Sequence, residues 1–296
     1  MSIHRFIFHN GRIQEASEAS LYAGQLGLLS GWGIFTTLRI VDGMPFAWER
    51  HWARMSRDAK LLNVEMPPDP AKLEQELIGL VERNSAPDCT MRVVVVRNTR
   101  GFWEGPGTGR ASDVIALTAT SKEWGDAVRL TVQPGARYAA SDFTRAKVLS
   151  WGANLRWAER AQEQGFDEVI LLNEHGRVAE CTSANVLGAF GDEVVTPPLS
   201  EGCLPGVTRE VILQEVHLPG LRMAERTLTV DDLRRADEVF ITSTTRGLKP
   251  VVEIAGTKLP GRTAVCARLV EAFNAYLQED IARRSARRRA PVHAER

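Results

Sequence analysis

Two residues between 144 and 188 carry side chains that could do chemistry together, Lys147 and Glu180. A neutral lysine amine is a nucleophile toward carbonyl groups and a carrier of protons. A carboxylate in apolar surroundings favours a cation placed beside it. Taken singly, each has an ordinary reading, Lys147 as an exposed helix-start lysine and Glu180 as a carboxylate on the wet face of a strand. The neighbours decide between these. Val148, Trp151, Leu155 and Ala158 recur at spacings of three and four, which predicts a helix opened by Lys147 and ended at Gly165. Val169 to Leu172 predicts a fully buried strand, Glu174 to Gly176 a turn, and Arg177 to Cys181 a second strand. In that strand Glu180 shares a face with Val178 and is flanked by Ala179 and Cys181, an apolar place for a carboxylate.

The elements that must position this pair are legible along the chain. Residues 3 to 8 and a stretch from Arg12 flank Asn10-Gly11 and predict a hairpin. Gly24, Gly27, Gly31 and Gly33 then punctuate the approach to a strand over Ile34 to Ile40, but without the spacing of a phosphate loop. Asp42-Gly43 turns into a helix from Glu49 whose buried stripe is Trp52, Met55, Ala59 and Leu62, with Arg54 off it. Met66-Pro-Pro68 ends that unit, and a second amphipathic helix covers Leu73 to Val81. Strands follow at Met91 to Val96, closed by Arg97, and at Val114 to Thr118, with a glycine-rich loop from Arg100 to Gly109 reading as a mobile cover over a site. Beyond a strand at Ala127 to Val132, Pro134-Gly135 predicts a turn. Gly191-Asp192 turns another hairpin, and Leu204-Pro205-Gly206-Val207-Thr208 leads into a helix from Arg209 to Val216. The free N–H groups at that helix start make an anion site, although the same pattern also describes a merely capped helix. Last, Asp237 to Ile241 runs as a strand into Ser243-Thr244-Thr245-Arg246-Gly247.

The length predicts two domains, placed at 1–119 and 126–280 with a polar linker at 120–125. Formal net charge is zero, so nothing in the balance points to nucleic acid or membrane. Residues 281 to 296 hold six arginines against one glutamate and predict a basic, disordered tail. The four cysteines are widely spaced, which argues against a zinc centre or a disulfide framework, and no metal site is expected. With no leader-like apolar run at the start, a reduced, cytoplasmic protein is the expectation.

The ordered motifs K-V-L-S-W-x-x-N from Lys147, G-F-D-E-V-I-L-L-N, G-R-V-A-E-C-T-S-A-N-V, and T-P-P-x-x-x-G-C-L-P-G-V-T-R resemble the fold-type IV (class IV) aminotransferases, from about Phe6 to about Leu277. That group of pyridoxal 5'-phosphate enzymes includes branched-chain and D-amino-acid aminotransferases and aminodeoxychorismate lyase. The resemblance implies a two-domain α/β (α+β) fold of the D-amino-acid aminotransferase type, working as a homodimer on small amino acid and 2-oxo acid substrates. It implies Lys147 as Schiff-base lysine and proton shuttle, and Glu180 as partner of the pyridine nitrogen. It assigns the cofactor phosphate to Arg54, Val207, Thr208, Ser243 and Thr244. Arg97 would lie near the substrate carboxylate, with Phe35, Thr37 and Thr245 on the substrate side. The activity implied first is amino transfer, a branched-chain amino acid among the candidates; the alternative is the lyase, which splits aminodeoxychorismate to 4-aminobenzoate and pyruvate. Phe35-Thr36 stands where branched-chain enzymes usually have Phe-Glu, and with only Tyr22, Tyr138 and Tyr276 in the chain a tyrosine-lined pocket is not expected. A non-catalytic protein keeping the fold is a third reading, against which Lys147 and Glu180 both stand.

Overall fold

The computed structural model describes residues 2–21, 24–99 and 109–289. The chain divides into two compact units, Met1–Lys122 with Asn274–Arg296, and Glu123–Phe273.

The first unit is built on an antiparallel sheet. Its strands are β1 (Ile3–His9), β2 (Arg12–Glu15), β3 (Gly33–Val41), β4 (Met44–Pro45), β5 (Cys89–Arg97) and β6 (Ser112–Ala119), in the order β2-β1-β6-β5-β3-β4. The β1–β2 turn forms as expected, with Asn10 and Gly11 both at positive φ. A short helix, α1 (Leu26–Ser30), occupies the glycine-punctuated run, where the sequence pattern signals none. Two longer helices, α2 (Trp48–Leu62) and α3 (Pro70–Arg83), complete the unit's core. Asp69 starts α3 by accepting from the N–H groups of Ala71 and Lys72, with Pro70 at the first turn, where its missing N–H costs nothing. Strand alternation sends Ile34, Leu38, Ile40, Met91, Val93 and Val95 into one core with Met55, Ala59, Leu73, Leu77 and Leu80 of the helices. Each of the Ile, Leu, Val and Met side chains contributes about 1.5–3 kcal/mol by leaving water. The opposite face of the same strands carries Phe35, Thr37 and Arg92.

The second unit holds β7 (Val128–Arg137), β8 (Glu168–Asn173), β9 (Val178–Cys181), β10 (Asn185–Phe190), β11 (Glu193–Thr196), β12 (Arg222–Glu225), β13 (Glu238–Ser243), β14 (Gly247–Ile254) and β15 (Thr257–Lys258). Their order is β12-β11-β10-β13-β14-β7-β8-β9, with β15 on β14. The strands β14, β7 and β8 run parallel, and β8 is buried along its whole length, as its unbroken apolar run predicts. Helices α4 (Gly152–Glu163), α5 (Val207–Gln214) and α6 (Val230–Arg235) belong to this unit. The long helix α7 (Ala264–Arg289) begins in the second unit and ends in the first.

Four expectations are corrected here. The helix after Lys147 starts at Gly152, and its buried residues are Asn154 and Ala161, while Leu155 is 54% exposed. The apolar spacing that suggests an earlier start is outweighed by Asn154, whose amide donates to the Thr182 carbonyl at 2.7 Å and fixes which face turns inward. Pro134-Gly135 does not end its strand: β7 continues through a register shift between Gln133 and Arg137, with Gly135 at φ +60°. Residues 281–289 are helical rather than a frayed tail. Arg284 is buried against Asp280 and Glu74 and pairs with Glu49, and Arg288 pairs with Glu82 at 2.5 Å. Glu74 and Glu82 lie about two hundred residues back in the sequence, so counting the tail's own charges could not reveal them. The segment from Asn274 joins the first unit, where the sequence suggests a single domain over 126–280, while the unit boundary at 122/123 falls inside the expected linker at 120–125. The anticipated loop at 100–109 and the end of the tail at 290–296 lie outside the described residues, Gly109 excepted.

Candidate active site

Glu180 sits in β9, 6% exposed, and its apolar neighbours are all buried. One carboxylate oxygen, Oε1, accepts from Arg137 Nε at 3.1 Å, and Oε2 accepts from the Leu204 backbone N–H at 3.1 Å. Burial pushes this carboxyl above its usual range, while Arg137, the Leu204 contact and the charge of Lys147 pull the other way. Arg137 carries no signal in the sequence because it lies beyond Pro134-Gly135. The bulge that carries β7 past that dipeptide brings Arg137 opposite Asn173 and beside Glu180. Its guanidinium also donates to Asn154 Oδ1 at 3.3 Å, tying the first turn of α4 to the same group.

Lys147 is half-buried, in the connection between a 3-10 turn at Asp142–Arg145 and α4. Its Nζ lies 5.6 Å from the centroid of the Trp151 ring. The segment leading to it is held at two points. Glu174 accepts from the Ala139 N–H at 2.8 Å, and Gly202 packs beneath it at φ +88°. A Cβ at Gly202 would stand 3.1 Å from Ala139 Cα and from Thr144 Cγ2, so glycine serves both the backbone angle and the close approach.

The helix α5 starts two residues earlier than expected, at Val207, with Gly206 as N-cap and no side-chain cap. Thr208 is therefore in the first turn. Its hydroxyl is buried, 1% exposed for the residue, and finds no hydrogen-bond partner among the described residues. A buried hydroxyl of this kind costs free energy unless something fills the gap. Asn185 connects the neighbouring pieces: it donates to the Leu204 carbonyl at 2.9 Å and pairs in register with Thr242 of β13. A Cβ on Gly206 would come within 2.0 Å of Asn185 Oδ1, so only glycine fits there. Ser243 ends β13, and Thr244 and Thr245 form the turn into β14; all three are half-buried. Glu180, Lys147, Val207, Thr208, Ser243, Thr244 and Thr245 thus all belong to the second unit.

Arg54, Phe35, Thr37 and Arg97 belong to the first. Arg54 is buried in α2 and donates from Nη2 to Thr36 Oγ1 at 2.9 Å, and the same hydroxyl shares a 2.7 Å hydrogen bond with His51 Nδ1. Phe35 and Thr37 lie on the face of β3 opposite that core. Arg97 is buried at the end of β5; its Nε donates to the Thr99 carbonyl at 2.8 Å, its Nη1 to the Asn63 carbonyl at 3.0 Å, and it stacks over Trp32. Arg92 is a further candidate that no sequence motif marks. It stands opposite Thr37 with its guanidinium 4.1 Å from the Phe35 centroid, its Nε is buried without a partner among the described residues, and burial lowers its pKa.

The family model described as Amino-transferase class IV matches residues 33–254, three quarters of the chain. The chain belongs to this family. A D-alanine aminotransferase of Bacillus licheniformis is 32% identical over 254 residues, covering 84% of this chain and 88% of the relative. The fold is shared with a branched-chain aminotransferase from Thermoproteus uzoniensis, solved with norvaline, at a TM-score of 0.85 and 23% identity over 94% of this chain and 96% of that one. It is shared too with the PLP-bound form of a hypothetical aminotransferase from Mycobacterium tuberculosis, at a TM-score of 0.82 and 22% identity over 93% of this chain and 99% of that one. This class IV chain is a pyridoxal-phosphate-dependent aminotransferase with the family's mixed α/β fold. Its residues fit that cofactor on two counts visible in the structure. The orphaned Thr208 hydroxyl lies at a helix start that offers N–H groups to a phosphate. Glu180 accepts only two hydrogen bonds from the protein among the described residues, leaving room for a ring N–H.

Proposed function

We propose that Lys147 is the residue that holds pyridoxal phosphate through its Nζ and moves the proton of the reaction. Glu180 takes the pyridine nitrogen as its partner in this reading. The phosphate goes to the N–H groups of Val207 and Thr208, the Thr208 hydroxyl, Ser243 and Thr244 of the second unit; Arg54 is carried as a phosphate residue by the family resemblance alone. When bound, the cofactor supplies an electron sink that makes the Cα–H bond of an amino acid labile. The chain's own residues do the rest. Lys147, with its amine free and neutral, would take the proton from the substrate Cα and serve as the site's proton carrier. Glu180, buried and fixed by Arg137 and Leu204, keeps a positive charge opposite it, each pKa unit being worth about 1.4 kcal/mol. Arg92, whose Nε is buried above Phe35 without a partner among the described residues, is the carboxylate anchor this reading favours over Arg97; Thr37 and Thr245 are substrate-side residues by the family resemblance.

The observation that carries the reading is a buried Glu180 that feels the charge of Lys147 and accepts only two hydrogen bonds from the described residues. The substrate is a small amino acid whose amino group passes to a 2-oxo acid; the D-alanine relative makes D-alanine the first to try, beside the branched-chain L-amino acids. The reading includes a homodimer acting in the cytoplasm, on the strength of the family resemblance. Among the described residues no helix is long and apolar enough to cross a membrane. The test is a panel of D- and L-amino acids with 2-oxoglutarate or pyruvate, run beside aminodeoxychorismate. Half-transamination with at least one amino acid is expected. Release of 4-aminobenzoate without any half-transamination across the panel would replace amino transfer by the lyase reaction.

A further inference from the structure

Glu168 opens β8, 2% exposed, and its carboxylate is saturated. Oε1 accepts from the N–H of Val169 at 3.0 Å, from the N–H of Thr182 at 3.2 Å, and from the Thr182 hydroxyl. Oε2 accepts from the Ser183 hydroxyl at 2.5 Å and from both terminal nitrogens of Arg246 at 3.3 Å. Arg246, 7% exposed, also donates to Ser183 Oγ at 3.2 Å and lies over Trp124, 4.1 Å from the ring centroid. The sheet order explains why an arginine is needed. Arg246 sits at the entry to β14 and Glu168 at the entry to β8, with β7 between them. Two strand spacings, about 9.6 Å, separate the outer pair. Only a long side chain crosses that gap, and Trp124, just before β7, covers the crossing.

Two short segments meet at this ion pair. Thr182 and Ser183 form the turn directly after Glu180 and Cys181. Thr244 and Thr245 form the turn directly before Arg246. Each turn is closed by its own backbone, the first by the Cys181 N–H donating to the Ala184 carbonyl at 2.7 Å and the second by the pairing of Ser243 with Gly247, and the link from one turn to the other is made by side chains, Arg246 to Ser183 and Glu168. We infer that the Glu168–Arg246 pair is a positioning device for the cofactor's phosphate site, holding the Thr244–Thr245 turn in place against the turn that follows Glu180. The inference rests on the phosphate reading of Thr208 and Thr244 given above. It assigns Arg246 no contact with cofactor or substrate; its effect is exerted through the backbone it anchors. A buried pair of this kind adds little net stability but restricts the geometries open to the segments it joins.

The experiment measures cofactor affinity of the apo full chain by absorbance titration, with pyridoxal phosphate and, separately, with pyridoxal, which lacks the phosphate. The readout is the ratio of the two dissociation constants. Arg246→Met keeps much of the side-chain length, and Glu168 retains its backbone and hydroxyl donors, so the fold has the means to persist. Glu168→Gln is the second variant, weakening the pair from the other side. Both are expected to shrink the preference for the phosphorylated form by about tenfold, the size of one lost charge-assisted contact. Thr244→Ala and Thr208→Ala, run alongside, report on the underlying reading. If they shrink the ratio while Arg246→Met and Glu168→Gln leave it unchanged, the positioning role is overturned and the phosphate reading stands. If neither threonine variant alters the ratio, the phosphate reading itself fails and the inference falls with it. Arg246→Lys, keeping the charge without the fork, is expected to recover part of the ratio; a general loss of packing would lower both affinities together and leave the ratio as it was.

Discussion

The entry of β8 and the middle of β9 each bury a glutamate on neighbouring strands, and the two are held in opposite ways. Glu168 receives six hydrogen bonds from the described residues, given by two backbone N–H groups, two hydroxyls and the fork of Arg246. Glu180 receives two, from Arg137 and Leu204, and burial pushes its carboxyl up. A carboxylate has about four lone-pair sites, so the first is spent and the second is not. Saturation thus marks a structural buried charge, and a deficit of partners marks a reactive one. The first unit repeats the contrast with arginines. Arg97 spends two donors on the Asn63 and Thr99 carbonyls, whereas Arg92 lies over Phe35 with a buried Nε that has no partner among the described residues.

Neutralising each glutamate in turn puts the first contrast at risk. Glu180→Gln should lower turnover at saturating cofactor by about a hundredfold or more, equivalent to about 2.7 kcal/mol of barrier. Under the same conditions Glu168→Gln should change turnover by less than about tenfold, since its role is in cofactor affinity and not in the reaction. Equal losses in the two variants, measured by single-turnover kinetics, would erase the distinction. A smaller effect is expected from the arginines. Arg92→Met should raise KM for the amino acid by about tenfold, the cost of one charge-assisted contact, with cofactor affinity unchanged. Arg97→Met should leave KM near its starting value and lower thermal stability, because two backbone carbonyls lose their donors. A KM increase confined to Arg97→Met would return the carboxylate anchor to that residue.

Much of the second unit could be read from the chain because its signals are local. The buried run Val169 to Leu172, the Glu174–Gly176 turn and the hairpin at Gly191 all appear where the sequence places them. What could not be read depends on partners distant in sequence. Arg137 becomes visible only once β7 is known to continue past Pro134-Gly135. Arg284 and Arg288 look like a solvated tail until Glu74 and Glu82 of α3 are set beside them. Arg54, off the apolar stripe and so readable as a surface residue, is buried because Thr36 in β3 accepts its donor. Periodicity reports which face is apolar, and buried polar pairs override it wherever they occur, as Asn154 does at the start of α4.

Everything proposed for the site turns on Lys147 being the lysine that holds the cofactor, beside a Glu180 with acceptor capacity to spare. Borohydride reduction of the holoenzyme followed by peptide mapping decides it. The label is expected on the peptide containing Lys147, and Lys147→Ala should lose both the label and turnover while still binding some cofactor through the phosphate. A label on any other lysine, or unchanged turnover in Lys147→Ala, would contradict that assignment.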